Sequence, residues 1–384
     1  MGFESQKERV CKLADENREK IVSMAQYLFD NPEIALEEVK ACAYITDFLR
    51  KEGFEVEEKF EGMETAFKAV KKNGDGPRIA FLAEYDALPG CGHACGHHMI
   101  ASMSVGAALA LAEVLDTYPG EIAIFGTPAE ETGEGKVYLA DRGVFKGYDV
   151  AMMLHPNART TIYPKMIAIG GMDFNFTGKA SHAGTYPYDG VNALDAVVLL
   201  YNNVNALRQQ LKDGTRIHGI ILEAGKAANV IPDKGVVRLE FRAKEQDYFE
   251  EVVQKVVNCA KAAALATGCE LEYDWFEPVC KGLKSNRALE EVMEEFFPQF
   301  GVDDFILIDG GSSDIGNVSW EVPTIEPMLG VCEGESGIHT ADFRDATMLP
   351  YGLDRMIVGV KLLALTGLRI LDNPKLLEKI REEM

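Results

Sequence analysis

At 384 residues the chain exceeds the roughly 250–300 at which a single core stops growing, so two domains are expected. A hydrophobic share of 47%, 9% of residues being aromatic, belongs to a folded globular protein. The formal charge of −22 speaks against nucleic acid and anionic membranes as partners, because both need clustered Lys and Arg; it would suit a cationic substrate by steering, or serve solubility alone.

The start, MGFESQKERVCKLADENREK, is polar and lacks the apolar stretch of a signal peptide, and Gln6 stands where a myristoylation signal wants Ser or Thr. No apolar run approaches the ~20 residues of a membrane span. The eight cysteines are scattered without the spacing of a disulfide framework, which points to reduced thiols in the cytoplasm. Amphipathic helices are expected over 16–30 and 36–52, where VSMAQYLF and CAYITDFL repeat apolar residues at helical spacing. Three short apolar runs follow that read as strands: RIAFLAEY (78–85), EIAIFGT (121–127) and VAMMLH (150–155). Between the first two, SMSVGAALALAEVL (102–115) reads as a buried helix. Apolar strands alternating with helices predict an α/β domain with a mixed, largely parallel sheet covered by helices on both faces.

The pattern changes near 170. MDFNFTGKA alternates as a strand, 191–211 reads as a helix, IHGIILEAG and VVRLEFRA as a strand pair, 245–268 as a helix closed by glycine, and ELEYDWF as a last strand. This β-α-β-β-α-β order is the ferredoxin-like α+β arrangement. It predicts an inserted domain at 171–280 within a larger domain made of 1–170 and 281–384. After Pro278 a helix is expected at 286–298, strands at 305–308 and 322–328, and a long helix from about 345.

The chemistry concentrates at strand ends. GCGHACGHH (90–98) holds two cysteines and three of the seven histidines. Asp86, the pair Glu130–Glu131 and His155 each follow an apolar run, and ligands of open α/β sheets bind at the carboxyl ends of strands. Read as an extended segment, Cys95 and His97 share a face and offer sulfur and nitrogen to one metal centre or to two adjacent ones, Gly96 letting the backbone approach. Thiolate and imidazole suit zinc, and carboxylate brings in harder ions such as manganese. Adjacent carboxylates divide well between holding a metal and handling a proton. Taken singly, each of these residues is equally at home in a turn or a solvated loop. In the inserted segment, His182 lies in a turn before a helix, Asn229 before a Val-Ile-Pro turn, and Arg242 at a strand end. GGSSDIGNVSW reads as a glycine turn with Ser and Asp capping a short helix, without the Lys a phosphate loop requires. His339 sits in the loop GESGIHTADF.

The ordered series EYDALPG, GHACGHH, GTPAEE, LHP, GKASHAG…PYDGVNALDA, NVIP…FRA, GSSDIGNVSW and GIHTADF resembles the dinuclear metallopeptidases and amidohydrolases of the aminoacylase, carboxypeptidase G and aminobenzoyl-glutamate hydrolase group. EYDALPG with GHACGH and GTPAEE is most similar to the branch of dipeptidases for basic β-alanyl or Xaa-Arg dipeptides. The resemblance implies metal ligands at Cys95, His97, Glu131, His155 and His339, Cys95 bridging two divalent ions, zinc or manganese with cobalt as a further option. It implies Glu130 as general base, Asp86 as the group orienting a ligand, and His182, given by a partner subunit, on the scissile carbonyl. Asn229 and Arg242 would hold the substrate, and the inserted domain would act as a lid and form a homodimer. Two departures stand out: His98 replaces the usual Asp or Asn, and Cys91 is an additional thiol. The expected reaction is hydrolysis of a small amide or dipeptide by metal-activated water. The substrate is left open between a basic dipeptide, an N-acyl amino acid and aminobenzoyl-glutamate. Two rival classes are a hydrolase using Cys95 as nucleophile and a binding protein without catalysis.

Overall fold

A computed structural model describes residues 2–303, 305–307, 310–334 and 336–384. The chain forms two compact units: Met1–Lys165 with Leu283–Gly310 and Asp314–Met384, and Met166–Gly282 with Gly311–Ser313. In chain order the first unit contains α1 (Phe3–Glu16), α2 (Arg18–Asp30), α3 (Val39–Lys51), β1 (Glu55–Glu58), β2 (Phe67–Asn73) and β3 (Arg78–Ala83). It continues with α4 (His97–Ala112), β4 (Gly120–Gly126), α5 (Gly135–Asp141), β5 (Val150–Met152) and β6 (His155–Asn157). The second unit contains β7 (Ala168–Thr177), α6 (Ala193–Leu207), β8 (Arg216–Glu223), β9 (Lys234–Ala243), α7 (Gln246–Thr267) and β10 (Glu270–Trp275). The chain then returns as α8 (Arg287–Glu294), α9 (Ile315–Ser319), β11 (Thr324–Ile325), β12 (Met328–Gly330), α10 (Ala341–Thr347), α11 (Pro350–Asp372) and α12 (Pro374–Glu382).

The first unit is built on a mixed sheet of order β1-β2-β4-β3-β5-β11. β3 pairs in parallel with β4 and β5, and β11 with β5, while β1–β2 and β2–β4 run antiparallel. Its three apolar central strands are buried along nearly their whole length, as strands covered on both sides must be. α4 is buried at all 16 of its residues, which fits a helix with alanine, leucine and glycine all round rather than an apolar stripe. Gly106 lets Ile21 and Val360 close on it: a Cβ there would meet Ile21 Cδ1 at 2.7 Å.

Several boundaries differ from the sequence expectation, each for a local reason. An N-terminal helix, α1, precedes the expected 16–30 helix; it buries only the thin stripe Gln6, Val10 and Ala14, too little apolar signal to mark it. α3 begins at Val39 rather than 36, because Leu36 takes a left-handed conformation with φ 63°. α4 begins at His97 rather than 102. VAMMLH is not one strand: the chain leaves the main sheet after Met152, and β6 pairs with β12 in a separate two-stranded sheet. VPTIEPM divides in step, β11 following β5 and β12 following β6. The expected 286–298 helix ends at Glu294, with a separate 3-10 turn at Phe297–Phe300. The expected strand at 305–308 reaches residue 308, outside the described residues; within them Phe305 makes one parallel bridge to Thr160. The last helix is broken before Pro350, whose ring disfavours helical backbone in the preceding residue.

The second unit has the β-α-β-β-α-β succession, with an antiparallel sheet of order β10-β7-β9-β8. Period-two alternation sets its faces. Met172, Phe174 and Phe176 of β7, with Val237, Leu239 and Phe241 of β9, join the core formed with α6 and α7, while Asp173, Arg238, Glu240 and Arg242 lie on the other face. Asn192 caps α6 by accepting from the Leu194 amide, and Gly268 ends α7 at φ 77°.

Candidate metal centre

The parallel register sets Ala83 beside Gly126 and Phe81 beside Met152, so β3, β4 and β5 finish together. The segments leaving these ends carry Glu84 and Asp86, then Glu130 and Glu131 in a 3-10 turn, then His155. GCGHACGHH is not extended. It turns at Gly96, φ 90°, where a Cβ would meet Pro156 Cγ at 2.4 Å, and α4 starts at the next residue. The shared face expected of Cys95 and His97 in an extended segment is replaced by a turn that delivers the thiol and a first-turn helical imidazole to one spot. His97 and His98, as consecutive helical residues, point apart. His98 packs on Phe29 and His93 and its Nε2 lies 3.1 Å from Thr347 Oγ1, away from the cluster.

Cys95, His97 and His155 gather with every ligating atom within 4.8 Å of the others, and Cys95, Glu131 and His339 form a second such group. Cys95 belongs to both. Its Sγ lies 3.6 Å from His155 Nε2 and 3.3 Å from His339 Nε2. His97 Nε2 lies 3.8 Å from Glu130 Oε2 and 3.9 Å from Glu131 Oε1, and His339 Nε2 lies 3.8 Å from Glu131 Oε1. Asp86 ties the parts together: its Oδ1 is 2.9 Å from His97 Nδ1, and its Oδ2 accepts from the Glu131 amide at 2.9 Å. His155 Nδ1 is held by the Pro156 carbonyl at 2.7 Å, which turns Nε2 inward. Ala129 (φ 60°) and His339 (φ 65°) are non-glycine residues in the left-handed region, a strained conformation that clusters at functional sites.

Two observations test whether this set fits a metal. Among the described residues, His97 Nε2 and Glu131 Oε1 are buried without a hydrogen-bond partner, although the groups around them are a thiol, imidazoles and carboxylates. The electrostatics agree. Burial opposes charge on His97, yet Cys95, Asp86 and Glu84 outweigh it and raise its pKa well above the ordinary imidazole value. Burial and the neighbouring His97 push His155 down to about 3, leaving a neutral imidazole whose Nε2 faces the Cys95 sulfur. Burial opposes ionisation of Asp86, but His97 holds its carboxyl at about 2. Burial pushes the Cys95 thiol well up, the opposite of what a cysteine nucleophile needs. The donor set and its unpartnered atoms fit a divalent cation of the zinc or manganese kind.

The three other sequence candidates lie in the second unit. His182 is exposed; its Nδ1 accepts from the amides of Gly184 at 3.2 Å and Thr185 at 3.1 Å. The Ala183 amide donates to Asn229 O at 3.0 Å, so the His182 and Asn229 segments are joined. Arg242 stands apart on β9, its Nε 3.0 Å from Glu240 Oε1, which also lies 3.0 Å from His218 Nε2.

Sequence reasoning missed four buried charged residues behind the cluster: Glu84, Lys136, Asp314 and Glu326. Asp314 was expected as a helix cap, but its side chain makes no cap bond; it takes the Lys136 amide and ammonium instead. The available signal was a carboxylate embedded in an apolar run, as in RIAFLAEY and VPTIEPM. Lys136, after GEG, carried none.

Residues 80–365 match the model of peptidase family M20/M25/M40. The chain belongs to that family. As a member it is a metal-dependent hydrolase of peptide or amide bonds. It is 37% identical over 398 residues to Xaa-Arg dipeptidase of Mus musculus, covering 98% of this chain and 91% of the mouse protein. Identity to a p-aminobenzoyl-glutamate hydrolase subunit from Escherichia coli is 30% over 310 residues, 75% of this chain and 64% of that one. Among solved structures, the fold is similar to an aminobenzoyl-glutamate utilization protein from Klebsiella pneumoniae (TM-score 0.74, 20% identity, 92% and 98% of the two chains). A dinuclear metal-binding M20 peptidase from Bacillus subtilis is likewise similar (TM-score 0.72, 19% identity, 93% and 99%).

Proposed function

We propose that this M20 peptidase uses two divalent ions, zinc or manganese, to cleave the amide bond of a small dipeptide. The observation that carries the reading is the pair of overlapping groups, Cys95–His97–His155 and Cys95–Glu131–His339, with His97 Nε2 and Glu131 Oε1 lacking a hydrogen bond among the described residues. Cys95, His97, His155, Glu131 and His339 would hold the ions, Cys95 being common to both groups, and Asp86 would orient His97 and fix the Glu131 backbone. When bound, such ions supply the Lewis acidity that brings a water's pKa from near 16 toward ~7. Glu130 Oε2, 3.8 Å from His97 Nε2, is the base that takes the proton of the attacking water and returns it to the departing amine. Glu131 groups with Cys95 and His339, whereas Glu130 groups with His97 and Glu131 and with Glu84 and Asp314.

The 37% identity to Xaa-Arg dipeptidase along 98% of the chain favours a dipeptide with a basic residue over an N-acyl amino acid, and the charge of −22 suits a cationic substrate. A second reading, an aminobenzoyl-glutamate-type amidohydrolase, is supported by the 30% identity to the Escherichia coli hydrolase. In either case Arg242 would take the substrate carboxylate, Asn229 would assist, and His182 would polarise the scissile carbonyl across a homodimer in which the second unit serves as lid. Eight free cysteines suit a cytoplasmic setting, and among the described residues no helix is long and apolar enough to cross a membrane.

The test is a panel of Xaa-Arg and Xaa-Lys dipeptides, N-acetyl amino acids and aminobenzoyl-glutamate, assayed after chelation and re-addition of zinc, manganese or cobalt. The basic dipeptides should give the highest kcat/KM. Highest turnover of aminobenzoyl-glutamate would replace the first reading by the second, and activity that survives chelation would remove the metal from both.

A further inference from the structure

Behind the candidate ligands lies a charge cluster that the proposed reaction does not use. The Lys136 side chain, at the start of α5, is wholly inaccessible to solvent. Its ammonium lies 2.7 Å from Glu84 Oε1 and pairs with Asp314 Oδ1, while its own amide donates to Asp314 Oδ2 at 2.8 Å. The other oxygen of Glu84 lies 3.4 Å from His97 Nε2. One oxygen each of Glu84, Asp314 and Glu130 fall within 4.8 Å of one another. Glu326, on the two-residue step between β11 and β12, is also buried among them, with neither oxygen hydrogen-bonded within the described residues.

An ion pair this deep is weak evidence for stability, because well-packed apolar side chains of the same volume do as well or better. What apolar residues cannot do is space carboxylates. Glu84 has one oxygen tied to the Lys136 ammonium, and Asp314 has one on that ammonium and the other on the Lys136 amide, so neither is free to swing toward Glu130, and Glu130 is left to face His97 Nε2 at 3.8 Å. Without a cation among them, three carboxylates this close repel, and Glu130, the most solvent-accessible of the three, is the one with room to move.

We propose that Lys136 is a positioning residue for the hydrolytic step: through Glu84 and Asp314 it fixes where the Glu130 carboxylate sits. The inference rests on the reading of Glu130 as the base. The experiment compares wild type, Lys136→Met, Lys136→Met/Asp314→Asn and Glu130→Gln, each loaded with manganese, for kcat, KM, bound metal and Tm on the best substrate of the panel. The double variant removes one cation and one anion, so it keeps the interior charge balance and folds even where Lys136→Met does not. Positioning predicts that Lys136→Met and the double variant both lose kcat about 100-fold, the scale of an ångström-level misplacement, with KM within about threefold. Metal content should stay equal to wild type, and the double variant should recover the Tm. Recovery of kcat together with Tm in the double variant would mean that Lys136 only balances charge, and would overturn the proposal. So would a loss of kcat that merely follows a loss of bound metal. If instead Glu130→Gln turns over normally, the base assignment fails, and the Lys136 inference falls with it for that separate reason.

Discussion

The polar side chains of the metal cluster and those on the face of β9 are matched in opposite ways. In the first, His97, Glu131 and Glu326 are buried with atoms that find no hydrogen-bond partner among the described residues. In the second, Arg238 and Arg242 lie partly exposed on the face of β9 and are matched, Arg238 to Asp173 and Arg242 to Glu240. The energetic meaning differs accordingly. A buried polar atom without a partner costs about 1–3 kcal/mol, whereas a partly exposed ion pair is worth about 0–1 kcal/mol whether kept or lost. The cluster therefore carries a deficit that a bound cation would make good. On the β9 face Arg238 and Arg242 already have carboxylate partners, so their part in binding has to be found by experiment.

This contrast sets the order of expected effects. Glu130→Gln keeps the shape of the site and removes the base, so kcat should fall by ~10² to 10⁴-fold with metal retained. Steady-state kinetics with metal analysis checks this, and near-normal turnover would remove Glu130 from the reaction. Asp86→Asn loosens both His97 and the Glu131 backbone, and metal affinity should drop ~10–100-fold, read by competition with a chelator. If affinity is unchanged, Asp86 does not orient the ligands. Arg242→Ala should raise KM by ~10-fold while leaving bound metal and Tm at wild-type values, since only uniform substrate binding is lost. An equal loss of kcat would place Arg242 in the chemistry instead.

The smallest effect separates burial for function from burial by folding. Glu290 of α8 is a buried carboxylate outside the site; desolvation, only partly offset by the Ser285 hydroxyl at 2.5 Å and by Arg287, raises its pKa from 4.5 to about 7. The folded state then holds a proton that the unfolded chain releases near 4.5, so stability is full below that pH and declines as pH rises toward 7. The decline is at most on the order of 3–4 kcal/mol. Glu290→Gln should flatten the dependence of Tm on pH between 4.5 and 7 without changing kcat. A profile identical to wild type would show that Glu290 is ionised throughout.

Much of the architecture was legible. Alternation at two residues per period marked β7 and β9, and the alanine-leucine run marked α4, because these patterns follow from local geometry and burial alone. The candidate ligands were legible because soft and acidic residues follow apolar runs, at Asp86, Glu130–Glu131 and His155. What escaped was anything needing a partner distant in the chain. The opposite orientations of His97 and His98 depend on α4 starting one residue after Gly96 and on Thr347 from another helix. The split of VAMMLH depends on β12 being available to pair with β6.

By itself, then, the sequence determined the alternation of strands and helices and the kinds of ligand at the strand ends, since periodicity and side-chain chemistry are local properties. Only the folded chain decided that Lys136 meets Glu84 and Asp314, residues 52 positions before it and 178 after, in a space closed to water. The strength of a charge interaction depends on the medium around it, and that medium exists only once distant segments have packed and expelled the solvent.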